Sequence, residues 1–198
     1  MIFFTSDLHL NHNKEFIYQA RGFKTIWDMN REIIERYNSL INQDDDVYIL
    51  GDLILGGPDR MEDGLSLLKQ LKGNLHIVRG NHDTDKRWEE YGKLYNVVEC
   101  ENAIYLKYNG YHFYLSHYPT LTGNYDINRP LKAQLINICG HTHTKDKFND
   151  IALSPIYHVE VDAHDCFPVS IEQIISEMFE YDKSKKELYK FICEKISQ

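Results

Sequence analysis

The chain has 198 residues, enough for one domain with a real core, and its 42% hydrophobic and 26% charged residues are ordinary for a globular protein. Lys plus Arg number 22 against 30 Asp plus Glu, a formal charge of −8, which argues against a broad grip on the backbone of long nucleic acid but leaves room for a local basic pocket. Cys100, Cys139, Cys166 and Cys193 form no C-x-x-C pair, so no structural zinc or redox motif is indicated, and scattered thiols fit a reducing cytosol. The first residues lack a charged n-region and no stretch approaches a membrane span, so neither a signal peptide nor a membrane partner is expected.

Ile2-Phe3-Phe4-Thr5-Ser6 reads as a buried first strand with Asp7-Leu8-His9 at its exit. Asp and His at i, i+2 beyond a strand can turn to one side, as ligands of one ion do, although a lone D-x-H is often a surface loop. His12 follows in the same loop, within reach of a substrate or simply solvated. Residues 14–45 have a helical pattern, with Thr25-x-x-Asp28 resembling a capping box and Ile33, Tyr37, Leu40 and Ile41 at core spacing. Asp44-Asp45-Asp46 is a charged turn before the second strand, residues 47–50, whose exit is Gly51-Asp52. Met61, Leu65, Leu68 and Leu71 mark an amphipathic helix ending at Gly73. Residues 75–79 form the third strand, which stops in Gly80-Asn81-His82-Asp83. That turn offers an amide oxygen, an imidazole that titrates near neutrality, and a carboxylate able to fix its tautomer. Taken alone, the tetrapeptide reads equally well as a polar turn.

The second half changes character. Trp88, Tyr91 and Leu94 suggest a helix, and Ala103–Tyr108 and Tyr111–Ser116 flank Asn109-Gly110, a strong hairpin signal. The second hairpin strand exits at His117-Tyr118. Leu135–Cys139 exits at Gly140-His141-Thr142-His143, and residues 156–161 form the last strand, with Asp162 after it. Ser170-x-x-Gln173 opens a helix, and Ser184-x-x-Glu187 opens a second. Their apolar stripes are expected to pack on the domain rather than bind a partner. The whole of 1–198 is read as one α/β domain with C-terminal helices 170–198 docked on it.

Asp7, His9, Asp52, Asn81, His117, His141 and His143 all lie just beyond apolar strands, where an open α/β layout forms its ligand crevice. Carboxylate, imidazole and amide donors without thiolate suit Mn²⁺, Fe, Zn²⁺ or Ni²⁺. Seven are too many for one tetrahedral ion and the right number for two ions sharing a carboxylate.

From residue 2 to about residue 171 this order of motifs resembles the calcineurin-like metallophosphoesterase superfamily, in particular its small single-domain bacterial and phage phosphoesterases. The resemblance implies a four-layer αββα sandwich of two mixed β-sheets flanked by helices. It implies Asp7, His9 and His143 on one divalent transition-metal ion, Asn81, His117 and His141 on a second, and Asp52 between them, with Mn²⁺ foremost. It makes His82 the acid beside the leaving group, held by Asp83. Two dications would give a water a pKa near neutrality, and the resulting hydroxide would attack phosphorus in line. The expected enzyme is a cytoplasmic phosphodiesterase or phosphatase acting on small phosphoesters or nucleotides. Nuclease, protein phosphatase and non-catalytic metal-binding module are the alternatives. Arg79, His12 and Tyr118, with Arg21, Arg129 and Tyr125, are candidates for contacting the substrate. Oligomeric state is not legible.

Overall fold

The computed structural model describes residues 1–57, 60–123, 126, 128–148 and 155–196. Two mixed sheets are built as the motif order implies. In the first, β1 (Ile2–Thr5), β2 (Asp46–Ile49), β3 (Asn74–Val78) and β4 (Val97–Glu101) run parallel, and β9 (Val169–Ser170) adds antiparallel to β1. In the second, β5 (Ala103–Tyr108) and β6 (Tyr111–Ser116) form the Asn109-Gly110 hairpin, and β7 (Leu135–Cys139) and β8 (Ile156–His158) continue parallel to β6.

The period-two alternation of side chains along a strand divides the core. Phe3, Val47, Ile49, Leu75 and Ile77 face α2 (Ile26–Leu40), α3 (Met61–Leu68) and α4 (Asp85–Tyr91), packing against Met29, Ile33, Tyr37, Leu65 and Tyr91. Phe4, Tyr48 and Val78 belong to the other core, with Phe113, Leu115, Ile136, Ile138 and Tyr157 of the second sheet. The β1, β2 and β3 strands are therefore largely apolar on both faces; the exception inside them is His76 of β3, partly buried and bonded to Asp46 and Glu99.

Three elements differ from the sequence expectation. Residues 14–45 are not one helix: α1 (Glu15–Tyr18) is a single turn, the chain reverses through Gly22 at φ +84°, and α2 starts afresh at Thr25, whose hydroxyl accepts from the Asp28 N–H at 3.1 Å. The last strand ends at His158, after which Glu160 bridges to Ser6 of the first sheet and Val161–Ala163 form a 3-10 turn. The C-terminal segment is one helix, α5 (Ile171–Ile196). No Gly or Pro interrupts it, and Ser184 bonds the Tyr181 carbonyl instead of capping a new start. Only its first half packs. Ile171, Ile174 and Met178 enter the inter-sheet core, while Leu188, Phe191, Ile192 and Ile196 are exposed. None of the described helices is long and apolar enough to cross a membrane.

This division of α5 has a measurable consequence. Met178→Ala should cost about 2–5 kcal/mol in urea unfolding, the usual range for emptying a core site. Phe191→Ala should stay within about 0.5 kcal/mol of wild type.

Candidate metal centre

The exits of β1, β2, β3, β6 and β7 meet at one place. The Asp7 N–H donates to the Gly51 carbonyl and the His9 N–H to the Asp52 carbonyl, both at 3.0 Å, while the Gly140 N–H donates to the His117 carbonyl at 3.0 Å. To curl off their strands so tightly, Asp7, His9, Asp52, His141 and His143 all adopt left-handed backbone, with φ between +49° and +75°. Backbones also touch. A Cβ on Gly80 would collide with Asp52, and one on Gly140 would collide with Ser6 and with the Asp7 carboxylate.

Two donor sets result. In the first, Nε2 of His9 and Nε2 of His143 are 3.1 Å apart and lie 3.8 and 3.7 Å from Asp7 Oδ1. That oxygen is buried without a hydrogen-bond partner. In the second, His117 Nε2 lies 2.8 Å from Asn81 Oδ1, 3.2 Å from His141 Nδ1 and 3.6 Å from Asp52 Oδ2. His117 Nδ1 donates to the Leu50 carbonyl at 2.8 Å, so Nε2 offers a lone pair. Asp52 Oδ2 is also 3.7 Å from His9 Nε2, which puts it between the two sets. Asp7, His9 and His143 form one grouping with metal-ligand spacing, and Asp7, Asp52 and His117 form another. Ligands of one ion held by bonds of about 2.1 Å stand roughly 3–3.6 Å apart, so an orphaned carboxylate oxygen facing imidazole nitrogens is a donor set that fits divalent cations.

Electrostatics agree. Burial pushes the Asp7 carboxyl up to about 6, against the pull of His117 and His143. Burial, with the charge of Arg21, pushes His9 far below the usual histidine range. His141 is lowered by burial and by His117. His143 is lowered by burial but raised overall by its hydrogen bond to Asp162 and by Asp7.

Residues 1–155 match the family model described as the calcineurin-like phosphoesterase superfamily domain. The chain belongs to the calcineurin-like phosphoesterase superfamily. It is 31% identical over 177 residues to the uncharacterized protein MJ1445 of Methanocaldococcus jannaschii, covering 88% of this chain and 89% of that one. It is 27% identical over 197 residues to the Gene 66 protein of Mycobacterium phage D29, covering 90% and 98%. The crystal structure of AQ665, a protein of unknown function from Aquifex aeolicus, shares the fold at a TM-score of 0.65 and 23% identity, covering 89% of this chain and 98% of that one. The superfamily uses divalent metal ions, and the two donor sets are where this member would hold them.

The other residues singled out in the sequence separate clearly. His82 stands at the mouth, its side chain 47% exposed, with Nε2 4.0 Å from Asp52 Oδ2 and its ring edge-on to His9. Asp83 does not hold it. The Asp83 carboxylate turns inward and accepts from the N–H groups of Gly80 and Asp52 at 2.8 Å, from Leu53 at 3.4 Å and from the Tyr91 hydroxyl at 2.9 Å. Asp83 therefore shapes the two ligand turns, because the orphan N–H groups of both converge on its buried position. Arg79 is engaged elsewhere, donating to the Asp83 carbonyl, pairing with Asp85 and lying over Trp88. Arg21 is only 2% exposed and pairs with Asp162, so it is structural rather than open to a substrate. Arg129 is tied through its carbonyl to Lys186 of α5. Tyr125 lies outside the described residues.

His12 and Tyr118 border the centre: the His12 ring is 5.2 Å from that of His9, and the half-exposed Tyr118 ring meets His117 and His141 edge-on. His158 is a core residue bonded to Glu160, and the partly buried His164 bonds the His158 carbonyl. Two residues have a role here that the sequence pattern does not suggest. Glu160 accepts from Thr142, inside the Gly-His-Thr-His turn, and Asp162 accepts from His143. Neither carries a motif, and only the three-dimensional turn after β8 brings them there.

Asp7→Asn tests the donor set. The amide oxygen can keep the bonds from the Ser6 hydroxyl and the His141 N–H, and its NH₂ faces the two imidazole nitrogens. The raised Asp7 value means its charge opposes folding above about pH 6, a cost that disappears below its ordinary 3.8. The metal-free variant should therefore be more stable than wild type by roughly 1–3 kcal/mol at pH 7–8, and equal to it near pH 4. Adding Mn²⁺ should raise the Tm of wild type by clearly more than that of the variant, which keeps only the second donor set intact. Thermal melts with and without metal read both effects.

Proposed function

We propose that this protein is a cytoplasmic, metal-dependent hydrolase of small phosphoesters, with phosphodiesters or nucleotides foremost, working as a single domain over residues 1–198. The observation that carries the reading is the pair of donor sets sharing Asp52 beneath a half-exposed imidazole, His82. Asp7, His9 and His143 would hold one divalent cation, Mn²⁺ foremost, and Asn81, His117 and His141 the other. When bound, the cations supply charge stabilisation for the phosphoryl oxygens and an acidic water as nucleophile.

The protein's own residues do the rest. Asp52 Oδ1 accepts from the backbone N–H of His82 at 2.8 Å, which ties the turn carrying the imidazole to the shared carboxylate. Arg87 donates to the carbonyls of His82 and Gly56 and so clamps the turn from outside. His82 Nε2 is then available to protonate the departing oxygen. His12 beside the exposed Phe16 on one rim, and Tyr118 on the other, offer flat apolar faces for a planar leaving group such as a nucleobase. The charge of −8 and the internal pairing of Arg21 and Arg79 favour a small ester over a long polyanion.

His82→Ala should keep two bound ions and the fold. It should lose about 10²–10⁴ in kcat on esters with poor leaving groups, and much less on nitrophenyl esters, which depart without a proton. Loss of metal, or an equal loss on all substrates, would remove the assignment. With wild type, kcat/KM on a dinucleotide or cyclic nucleotide should exceed that on single-stranded DNA and vary little with salt. A steep salt slope with DNA preferred would make the protein a nuclease, and a preference for monoesters would make it a phosphatase.

A further inference from the structure

The first donor set has a feature that the second lacks. Its ligands come from distant parts of the chain, Asp7 and His9 after β1 and His143 after β7, and one buried arginine touches both sources. Arg21 donates through Nη2 to the Asp7 carbonyl at 2.8 Å and through Nη1 to the Leu8 carbonyl at 3.1 Å. Through Nε and Nη2 it also makes a two-pronged pair with Asp162 at 3.0 and 2.8 Å. The same Asp162 Oδ2 lies 2.9 Å from His143 Nδ1. An ionised carboxylate only accepts, so Nδ1 carries the proton and Nε2 is the nitrogen left to face Asp7 and His9. Among the described residues nothing equivalent stands behind the second set, where His117 leans on a neutral backbone carbonyl.

We propose that Arg21 and Asp162 are a positioning pair for one of the two cation sites only. They fix the tautomer and direction of His143 and lock the Asp7-Leu8-His9 turn against it. The proposal rests on the reading of Asp7, His9 and His143 as metal ligands. Asp162 acts through His143 and Arg21 through the loop, and neither contacts the substrate. Asp162→Asn should uncouple the pair, because an amide cannot accept from Arg21 on both of its heavy atoms and also from His143. Arg21→Gln should loosen the Asp7-Leu8 carbonyls.

The test is calorimetric titration of the metal-free full chain with Mn²⁺, wild type against Asp162→Asn, Asp162→Ala and Arg21→Gln. Near-ultraviolet circular dichroism serves as the fold check. Wild type should bind two ions. Each variant should bind one of them about 10–100-fold more weakly, the scale on which partners behind a metal-bound histidine act, and the other within about twofold of wild type. Imidazole ¹⁵N spectra of the Zn²⁺-loaded protein give a readout that a merely structural role would not move. The His143 Nδ1–H signal should be sharp and strongly downfield in wild type and should shift or broaden in Asp162→Asn. Should Asp162→Ala fail to fold with Arg21 left uncompensated, Asp162→Asn decides alone. Wild-type affinities in Asp162→Asn, or equal weakening of both ions, would overturn the proposal. A wild type that binds no pair of ions would instead overturn the metal reading beneath it.

Discussion

The structure depends on one backbone constraint. Five of the seven candidate ligands, Asp7, His9, Asp52, His141 and His143, sit in left-handed conformations that L-residues with a Cβ avoid. Such positions cost on the order of 1–3 kcal/mol each and persist only where the surroundings over-determine them. The surroundings do so here from below and from the side. From below, the Asp83 carboxylate gathers N–H groups of Gly80, Asp52 and Leu53, which closes the β2 and β3 turns on each other. From the side, Ser6 and the His141 N–H both bond Asp7 Oδ2, which closes the β1 turn on the β7 turn. The ligand array is thus fixed by polar contacts between turns, on a platform of largely apolar strands.

The same constraint concentrates charge where folding alone would not. Asp7, Asp52 and Asp83 are all almost completely buried, and the first two have free oxygens directed at imidazoles rather than at cationic side chains. Burial resists the ionisation of Asp7 and of Asp83 even though both accept several hydrogen bonds. A fold selected only for stability would place apolar groups or an Arg partner there. The chain does place an Arg nearby, but spends its donors on Asp162 and on carbonyls, one shell away. What is left at the centre is an unneutralised set of donors, and a cation is the natural complement to it.

Much of this was legible in the sequence, because each ligand follows an apolar run and strand ends converge in an α/β layout. The Asn109-Gly110 hairpin and the Thr25 cap were legible for local reasons of the same kind. Other features had no local signature. β9 is two residues long, and β4 carries Glu99 and Glu101 on a sheet edge, so neither shows the apolar run that betrays a strand. The continuous α5 was read as two helices because Ser184-x-x-Glu187 looks like a capping box, yet a serine inside a helix can bond back to a carbonyl. The resemblance pairs Asp83 with His82, its neighbour in the chain. Adjacent residues on a tight turn point apart, and the inward one served the backbone. Arg21, Glu160 and Asp162 act across sequence separations that no pattern reveals.

The two halves of the centre are consequently unequal. His143 leans on an ionised carboxylate and His117 on a peptide carbonyl. A carboxylate partner makes an imidazole the more basic donor and adds negative charge just behind it, whereas a carbonyl orients the ring and adds little. The first set also includes a full carboxylate of its own in Asp7, where the second has the neutral amide of Asn81. With Asp52 common to both, the first half has one ligand carboxylate more than the second, with the Arg21–Asp162 pair behind it. The neutral half lies toward Tyr118, the most exposed ring bordering the ligands. On the proposed reading, a cation there would keep more of its charge unspent than one in the first half.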